Sequence, residues 1–314
     1  MKRTLIGLVT LAVACSPGDT ADSTTTSSPS TSVATPTTTP ATTTLPSTTT
    51  TFPATTTLPL STTTTLVQGN WADGPVVVTE FGALGWWDGA NWLDANTEGA
   101  IPVVGGEDYQ TIVGDVIDRT TAGPQTTTCE PLGLIGVELA DPRLLGELPG
   151  PYGVAISAPW PLQPHLYEVA SDDGTYAGFA SALLAERGLD VPDPVITQLI
   201  RTDLEGDGVE EVLAVASDVT PGFVMEIGDY SIVFIRKVVD GEVQTAVLDE
   251  SVVVDEQGSY GGLYSVGTIA DLNGDEKMEI VTSGVFFESL AVTVWEYVDD
   301  DVGLTFALQM GCGV

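Results

Sequence analysis

The chain has 314 residues, with 44 Asp and Glu against 9 Lys and Arg, and a formal net charge of −35. A surface this acidic repels nucleic acid and anionic lipid headgroups, which argues against nucleic-acid partners, and it attracts divalent cations. Little points to catalysis: the single histidine, His165, sits in Pro164-His165-Leu166, and there is no zinc-ligand spacing, Gly-x-Ser-x-Gly elbow or phosphate loop.

The N-terminus opens with two cations, Lys2 and Arg3, followed by an apolar run from Leu5 to Ala14. That run is too short to span roughly 30 Å of hydrocarbon and has the layout of an export signal. Its end, Leu11-Ala12-Val13-Ala14-Cys15, resembles the lipobox of bacterial lipoproteins, although that family prefers Leu where Ala12 stands. The resemblance implies a signal peptide over residues 1–14, cleavage before Cys15, acylation of Cys15 and an extracytoplasmic, surface-exposed location with the membrane contacted through lipid.

Residues 16–66 are mostly Thr, Pro, Ser and Ala, as in Thr37-Thr38-Thr39-Pro40. Such a stretch cannot bury enough apolar area to offset its ordering entropy. Fully extended in polyproline form it would reach on the order of 150 Å. Residues 15–69 are therefore expected to be a lipidated, disordered tether. The Ser/Thr-Pro composition also suits O-glycosylation.

Residues 70–194 form a β-rich part without a clear period. Val76-Val77-Val78 and the run 112–117 are candidate strands. Trp71, Trp86, Trp87 and Trp92 cluster in sequence, and would stack sugars if exposed, though a core role is commoner for such residues. A helix is expected at about 175–187, with Tyr176, Phe179, Ala180, Leu183 and Leu184 on one face and Gly188 ending it. With Cys15 acylated, Cys129 and Cys312 remain as an even pair, which in an exported chain predicts a disulfide. Closing a loop of about 180 residues would stabilise the fold by roughly 5 kcal/mol.

From residue 195 to 314 the sequence repeats. The stretch Thr202 to Leu213 aligns without gaps on Ala270 to Val281, and Ser231 to Leu248 aligns on Ala291 to Leu308. Each unit reads strand, acidic loop, strand, connection, strand, turn, strand. The predicted strands are 195–202, 210–217, 230–239 and 243–250, then 262–270, 278–284, 291–298 and 303–310. Val, Ile, Phe and Tyr dominate them. Asp240-Gly241 is a strong hairpin signal, and Asp299-Asp300-Asp301 takes the same place in the second unit. Two antiparallel four-stranded repeats of this kind predict a mainly β, propeller-like fold, with the helix interrupting any simple ring.

In both acidic loops oxygen-bearing side chains fall at positions 1, 3, 5 and 9. Calcium takes six to eight oxygens, and a tight loop supplies them by presenting alternate side chains inward with one main-chain carbonyl. The first site would use Asp203, Glu205, Asp207 and Glu211 with the Val209 carbonyl. The second would use Asp271, Asn273, Asp275 and Glu279 with the Lys277 carbonyl. These are not helix-flanked calcium hands, because position 12 holds Ala214 and Thr282 instead of a bidentate Glu.

The loops resemble the FG-GAP/VCBS repeat family, whose acidic loop joins two strands of a β-propeller blade. They depart from that pattern at Glu276, where Gly is usual, and in the length of Glu205 and Glu211. The resemblance implies two structural calcium sites in a binding or adhesive module, with an envelope or extracellular ligand, a glycan or a protein, as partner, or in a passive domain. The rival expectation is an extracytoplasmic hydrolase acting on glycans, which needs only two suitably placed carboxylates.

Overall fold

Two four-stranded antiparallel meanders make up the C-terminal part. The first runs β9 (Ile196–Thr202), β10 (Glu211–Asp218), β11 (Tyr230–Val239) and β12 (Glu242–Val252). The second runs β13 (Leu263–Ala270), β14 (Glu279–Val285), β15 (Ser289–Glu296) and β16 (Thr305–Gly313), each meander paired in sequence order. The computed structural model describes residues 68–130, 132–146, 151–163, 174–220, 224–255, 260–297 and 305–313. The predicted signal segment, Cys15, the Thr/Pro/Ser-rich tether, His165 and the Asp299-Asp300-Asp301 turn lie outside them.

The predicted strands and the observed ones agree to within a few residues, for a local reason. Period-2 alternation of large apolar residues sends successive side chains to opposite faces of a sheet. On β10, Leu213 and Val215 face the second meander, while Val212, Ala214 and Ala216 face a helix, α2 (Thr175–Glu186). On β11, Val233 and Ile235 take the first face and Ile232 and Phe234 the second. Both faces are therefore covered, and the strands read as nearly continuous apolar runs. Between β11 and β12 the chain turns at Asp240 (φ 54°) and Gly241 (φ 80°), the left-handed pair that a two-residue hairpin requires. The helix buries Tyr176, Ala177, Ala180 and Leu184, and beyond its end the Leu189 amide returns to the Leu184 carbonyl.

The N-terminal part is more ordered than its sequence pattern suggests. Strands β1 (Val76–Val78), β2 (Ala83–Trp87), β3 (Trp92–Asp94), β4 (Asp108–Val113), β5 (Val116–Thr121) and β8 (Val154–Ser157) build an antiparallel sheet in the order β3-β2-β1-β8-β4-β5. A short helix, α1 (Ala95–Glu98), follows β3 and is capped by the Asp94 side chain. Strands β6 (Thr126–Thr128) and β7 (Leu134–Gly136) pair separately. The single strand expected over 112–117 is instead a hairpin: Gly114 (φ 57°) and Asp115 form the turn, and Val113 pairs with Val116. Glycine supplies the positive φ that lets the chain reverse there.

The layers follow from which residues share a core. Helix α2 packs on one face of the first meander. Its other face shares a core with the second meander through Ile200, Leu213, Val266, Ile269 and Ile280. The opposite face of the second meander, with Val281, Val292, Val294 and Leu308, packs into the core of the N-terminal sheet. Polar contacts fix the stacking. Gln198 donates through Nε2 to the Val266 carbonyl (3.0 Å) and accepts from the Val266 amide (2.8 Å), reading the backbone of β13 from β9. Gly114 donates to the Gly267 carbonyl, and a Cβ at Gly267 would stand 2.1 Å from the Tyr152 carbonyl oxygen, so only glycine allows this approach. Cys129 and Cys312 are joined by a disulfide with their Cα atoms 5.7 Å apart, tying β16 to the N-terminal part. Among the described residues no helix is long and apolar enough to cross a membrane.

Candidate metal centre

Both acidic loops connect the first two strands of a meander, and both are shaped by the same four hydrogen bonds. The first carboxylate accepts two amides: Asp203 from Asp207 (3.0 Å) and Gly208 (2.8 Å), Asp271 from Asp275 (3.2 Å) and Glu276 (3.1 Å). The fifth residue accepts the amide two positions on: Asp207 from Val209 (2.6 Å), Asp275 from Lys277 (2.9 Å). The ninth accepts the amide of the second: Glu211 from Leu204 (3.0 Å), Glu279 from Leu272 (2.6 Å). Leu204 and Leu272 are fully buried and pin each loop to its core, while Glu211 and Glu279, at the start of β10 and β14, are only 1 % exposed. The left-handed backbone falls at matching places as well: Gly206 (φ 73°) and Gly208 (φ 86°) in the first loop, Gly274 (φ 84°) and Glu276 (φ 70°) in the second.

The side chains do not gather equally. In the first loop, carboxylate oxygens of Asp203, Glu205 and Glu211 lie within 4.8 Å of one another, the one such acidic trio among the described residues. Asp207 stays with its own turn. One oxygen of Glu205, Oε2, is buried without a hydrogen-bond partner, and the other accepts from the Tyr297 hydroxyl. Burial pushes the Glu211 carboxyl up to about 7; the Leu204 amide opposes this, and the neighbouring Glu205 charge adds to it. An all-oxygen, anionic donor set with an orphaned buried oxygen fits a hard cation such as calcium, which would replace carboxylate repulsion with attraction.

In the second loop Asn273 is too short to make the corresponding reach. Its Oδ1 accepts the Asp275 amide (2.9 Å), and its Nδ2 is buried without a partner. Asp271, Asp275 and Glu279 do not close into an acidic trio like that of the first loop. Burial raises the Glu279 carboxyl well above its ordinary range and raises that of Asp271, with neighbouring carboxylate charges adding to both. Trp160 covers this loop: its indole donates to the Asp271 carbonyl (3.2 Å), and its ring lies where a Cβ on Gly274 would come within 3.2 Å.

The loops also touch. The Met278 amide donates to the Leu204 carbonyl (2.9 Å). Tyr297 receives the ammonium of buried Lys237 on its ring (3.7 Å from the centroid) and that of Lys277 at 5.5 Å. Three neighbours of the loops were not singled out in the sequence: Trp160, Lys237 and Tyr297. Lys237 carried a signal, because a lysine in a largely apolar strand of a chain so poor in cations needs an anionic or aromatic partner. Trp160 and Tyr297 lie far from the first loop in sequence and carried none.

The tryptophans separate in role. Trp86 and Trp92 pack against the N-terminal core, and Trp71 lies under the Arg119 guanidinium. Trp87, at the end of β2, is half-exposed and borders two clefts. The chain matches no protein-family profile, no curated protein sequence and no solved structure.

Proposed function

We propose that this chain is an exported, lipid-anchored protein whose folded part is a calcium-supported β-repeat domain of FG-GAP/VCBS type, acting as a non-enzymatic binding module at the cell envelope. The observation that carries this reading is the identical hydrogen-bond frame of the two acidic loops, each closed by a buried glutamate and each joining the first two strands of a four-stranded meander. Two loops 68 residues apart would not share that frame by chance, and in the first of them it brings three carboxylates together, as a cation site requires. The two meanders packed face to face are the unit from which a propeller is assembled. The signal-like N-terminus, the lipobox-like Cys15 and the Thr/Pro/Ser-rich stretch after it support the lipid-anchored reading.

A calorimetric titration of the purified protein with calcium chloride is the direct test. Saturable binding is expected, together with a rise in melting temperature that sodium chloride at matched ionic strength does not reproduce, since screening needs no specific site. Magnesium should act more weakly, because it tolerates irregular coordination poorly. Absence of saturable calcium binding would remove the metal assignment. For the anchor, Cys15→Ser should release the protein from the membrane fraction or trap its precursor; unchanged fractionation would remove the lipoprotein reading.

A further inference from the structure

Trp87 stands where the N-terminal sheet meets the second meander. On one side of it lies a cleft of 530 Å³, lined by Asp73, Pro75, Trp87, Asp88, Trp160 and Asn273 among others. On the other side lies a cleft of 210 Å³ that Trp87 shares with Asn91, Trp92 and Glu296. The larger has the size of a small-molecule site. Its lining combines two half-exposed indoles, carboxylates and one amide. The amide is Asn273, 6 % exposed, with an Nδ2 donor that no acceptor in the protein satisfies. Buried amide donors nearly always find a partner, and this unmet one belongs to a residue of the cleft wall, just beneath its surface.

We propose that the larger cleft is a carbohydrate site, taking a neutral glycan chain that runs across Trp87. This rests on the binding-module reading above and names its ligand class. A sugar ring offers an apolar C–H face to an indole and hydroxyls to the groups around it. Asp73 and Asp88 in the larger cleft, and Glu296 on the far side of Trp87, accept hydroxyl hydrogens. The ligand is neutral because the walls are acidic and the whole chain carries −35, so a uronate or phosphorylated sugar meets repulsion. The Ala90 (2.9 Å) and Asn91 (2.8 Å) amides both bond Asp88 Oδ1, which fixes its carboxylate at the cleft rim. Trp160 couples the cleft to the second acidic loop through its bond to the Asp271 carbonyl, so ordering that loop also orders one wall of the cleft.

The test follows tryptophan fluorescence while the purified protein is titrated with four neutral hexasaccharides (cellohexaose, mannohexaose, maltohexaose and N-acetylchitohexaose), with a chitosan hexamer as cationic probe and hexagalacturonate as anionic probe. Saturable binding of at least one neutral oligomer is expected, with hexagalacturonate inactive. Trp87→Ala should weaken it roughly tenfold or more by removing the stacking face, in protein whose thermal unfolding matches the parent. No binding by any neutral oligomer, binding of the chitosan hexamer alone, or affinity unchanged in Trp87→Ala would each overturn the site. Sugar binding indifferent to added calcium supports the cleft and counts only against the Trp160 coupling to the second loop. Shortened oligosaccharides in the recovered mixture would support the cleft and overturn the non-enzymatic reading.

Discussion

The two acidic loops have one backbone and two chemistries. Their four shared hydrogen bonds show that the main chain is set by the positions of Asp, Leu and Glu. What differs is side-chain reach. Glu205 extends to Asp203 and Glu211 and to the Tyr297 hydroxyl, while Asn273, two carbon–carbon bonds from its backbone, folds back onto the Asp275 amide. The first loop thus concentrates negative charge. The second is less charged, carries Lys277 and is roofed by Trp160. A repeated frame can gather carboxylates in one copy and form part of a cleft wall in the other.

The largest effect should come from the one covalent difference between the repeats. Only the second meander is tied by a disulfide, through Cys312 to Cys129 across 183 residues. Replacing both cysteines with serine frees the unfolded chain and should cost roughly 5 kcal/mol. Hydrogen exchange should then show β16 and the segment around Cys129 losing protection first, with β10 and β11 least affected. Equal loss across both meanders would mean that the bridge supports the whole domain and does not distinguish the copies.

Calcium comes next. Metal that binds only the native state adds about 2.7 kcal/mol at a hundred times Kd. Asp203→Ala should remove the larger part of the calcium-induced rise in melting temperature, because it takes a ligand from the loop with three converging carboxylates. Asp271→Ala should remove the smaller part, and the double variant nearly all of it. The Met278–Leu204 hydrogen bond and Tyr297 link the loops, so the two losses should not be additive. A larger loss from Asp271→Ala would reverse the ranking of the sites.

Much of this comparison was legible in the sequence, and the limits have a physical cause. Strand positions, the Asp240-Gly241 turn and helix α2 rest on local alternation and turn chemistry, and these the sequence displays. The positions of the acidic residues also fix the loop frame, because its bonds span seven residues at most. What the sequence hid was long-range. The order of the N-terminal sheet depends on β8 inserting between β1 and β4, and no local period encodes that. Asp207 accepts the Val209 amide of its own turn and lies outside the trio of converging carboxylates, which spacing alone did not show. Trp160 reaches Asp271 across 111 residues.

A reciprocal pair of substitutions probes the backbone alone. Glu276 (φ 70°) occupies the left-handed position that Gly208 (φ 86°) holds in the first loop. That conformation costs an L-residue roughly 1–2 kcal/mol, offset in part by the entropy a glycine loses on folding. Glu276→Gly should therefore stabilise by roughly 0.5–1 kcal/mol. Gly208→Ala should destabilise by about as much, and as a Cβ there meets nothing within 4 Å, sterics with neighbours contribute little. Urea unfolding in chelator measures both. If the two substitutions shift stability in the same direction, the loops do not share one backbone.

The smallest effect tests the joint between the repeats. Asp249, on β12, accepts the Thr282 hydroxyl of β14 (2.6 Å), and Thr282 accepts the Trp295 indole (3.0 Å). Burial raises the Asp249 carboxyl, and the hydrogen bonds of Thr282 and Trp295 hold part of that rise back, which is why the net effect is modest. In the unfolded chain this group ionises from about pH 3.9. Between that value and the raised native one, the native state holds more protons than the unfolded state, so this contribution to stability falls as pH rises. Asp249→Asn retains an oxygen for the Thr282 hydroxyl and does not ionise. Its stability relative to the parent should therefore rise from the acid end of the window to neutral pH and level off there. Several other carboxyls are raised in the parent, among them Glu211, Glu279 and Glu296, so neither protein's pH profile alone is informative; only the difference between the two isolates Asp249. Paired thermal scans from pH 3.5 to 7.5 measure it. A constant difference across that range would show that Asp249 keeps an ordinary affinity for its proton and that the joint between the meanders is open to water.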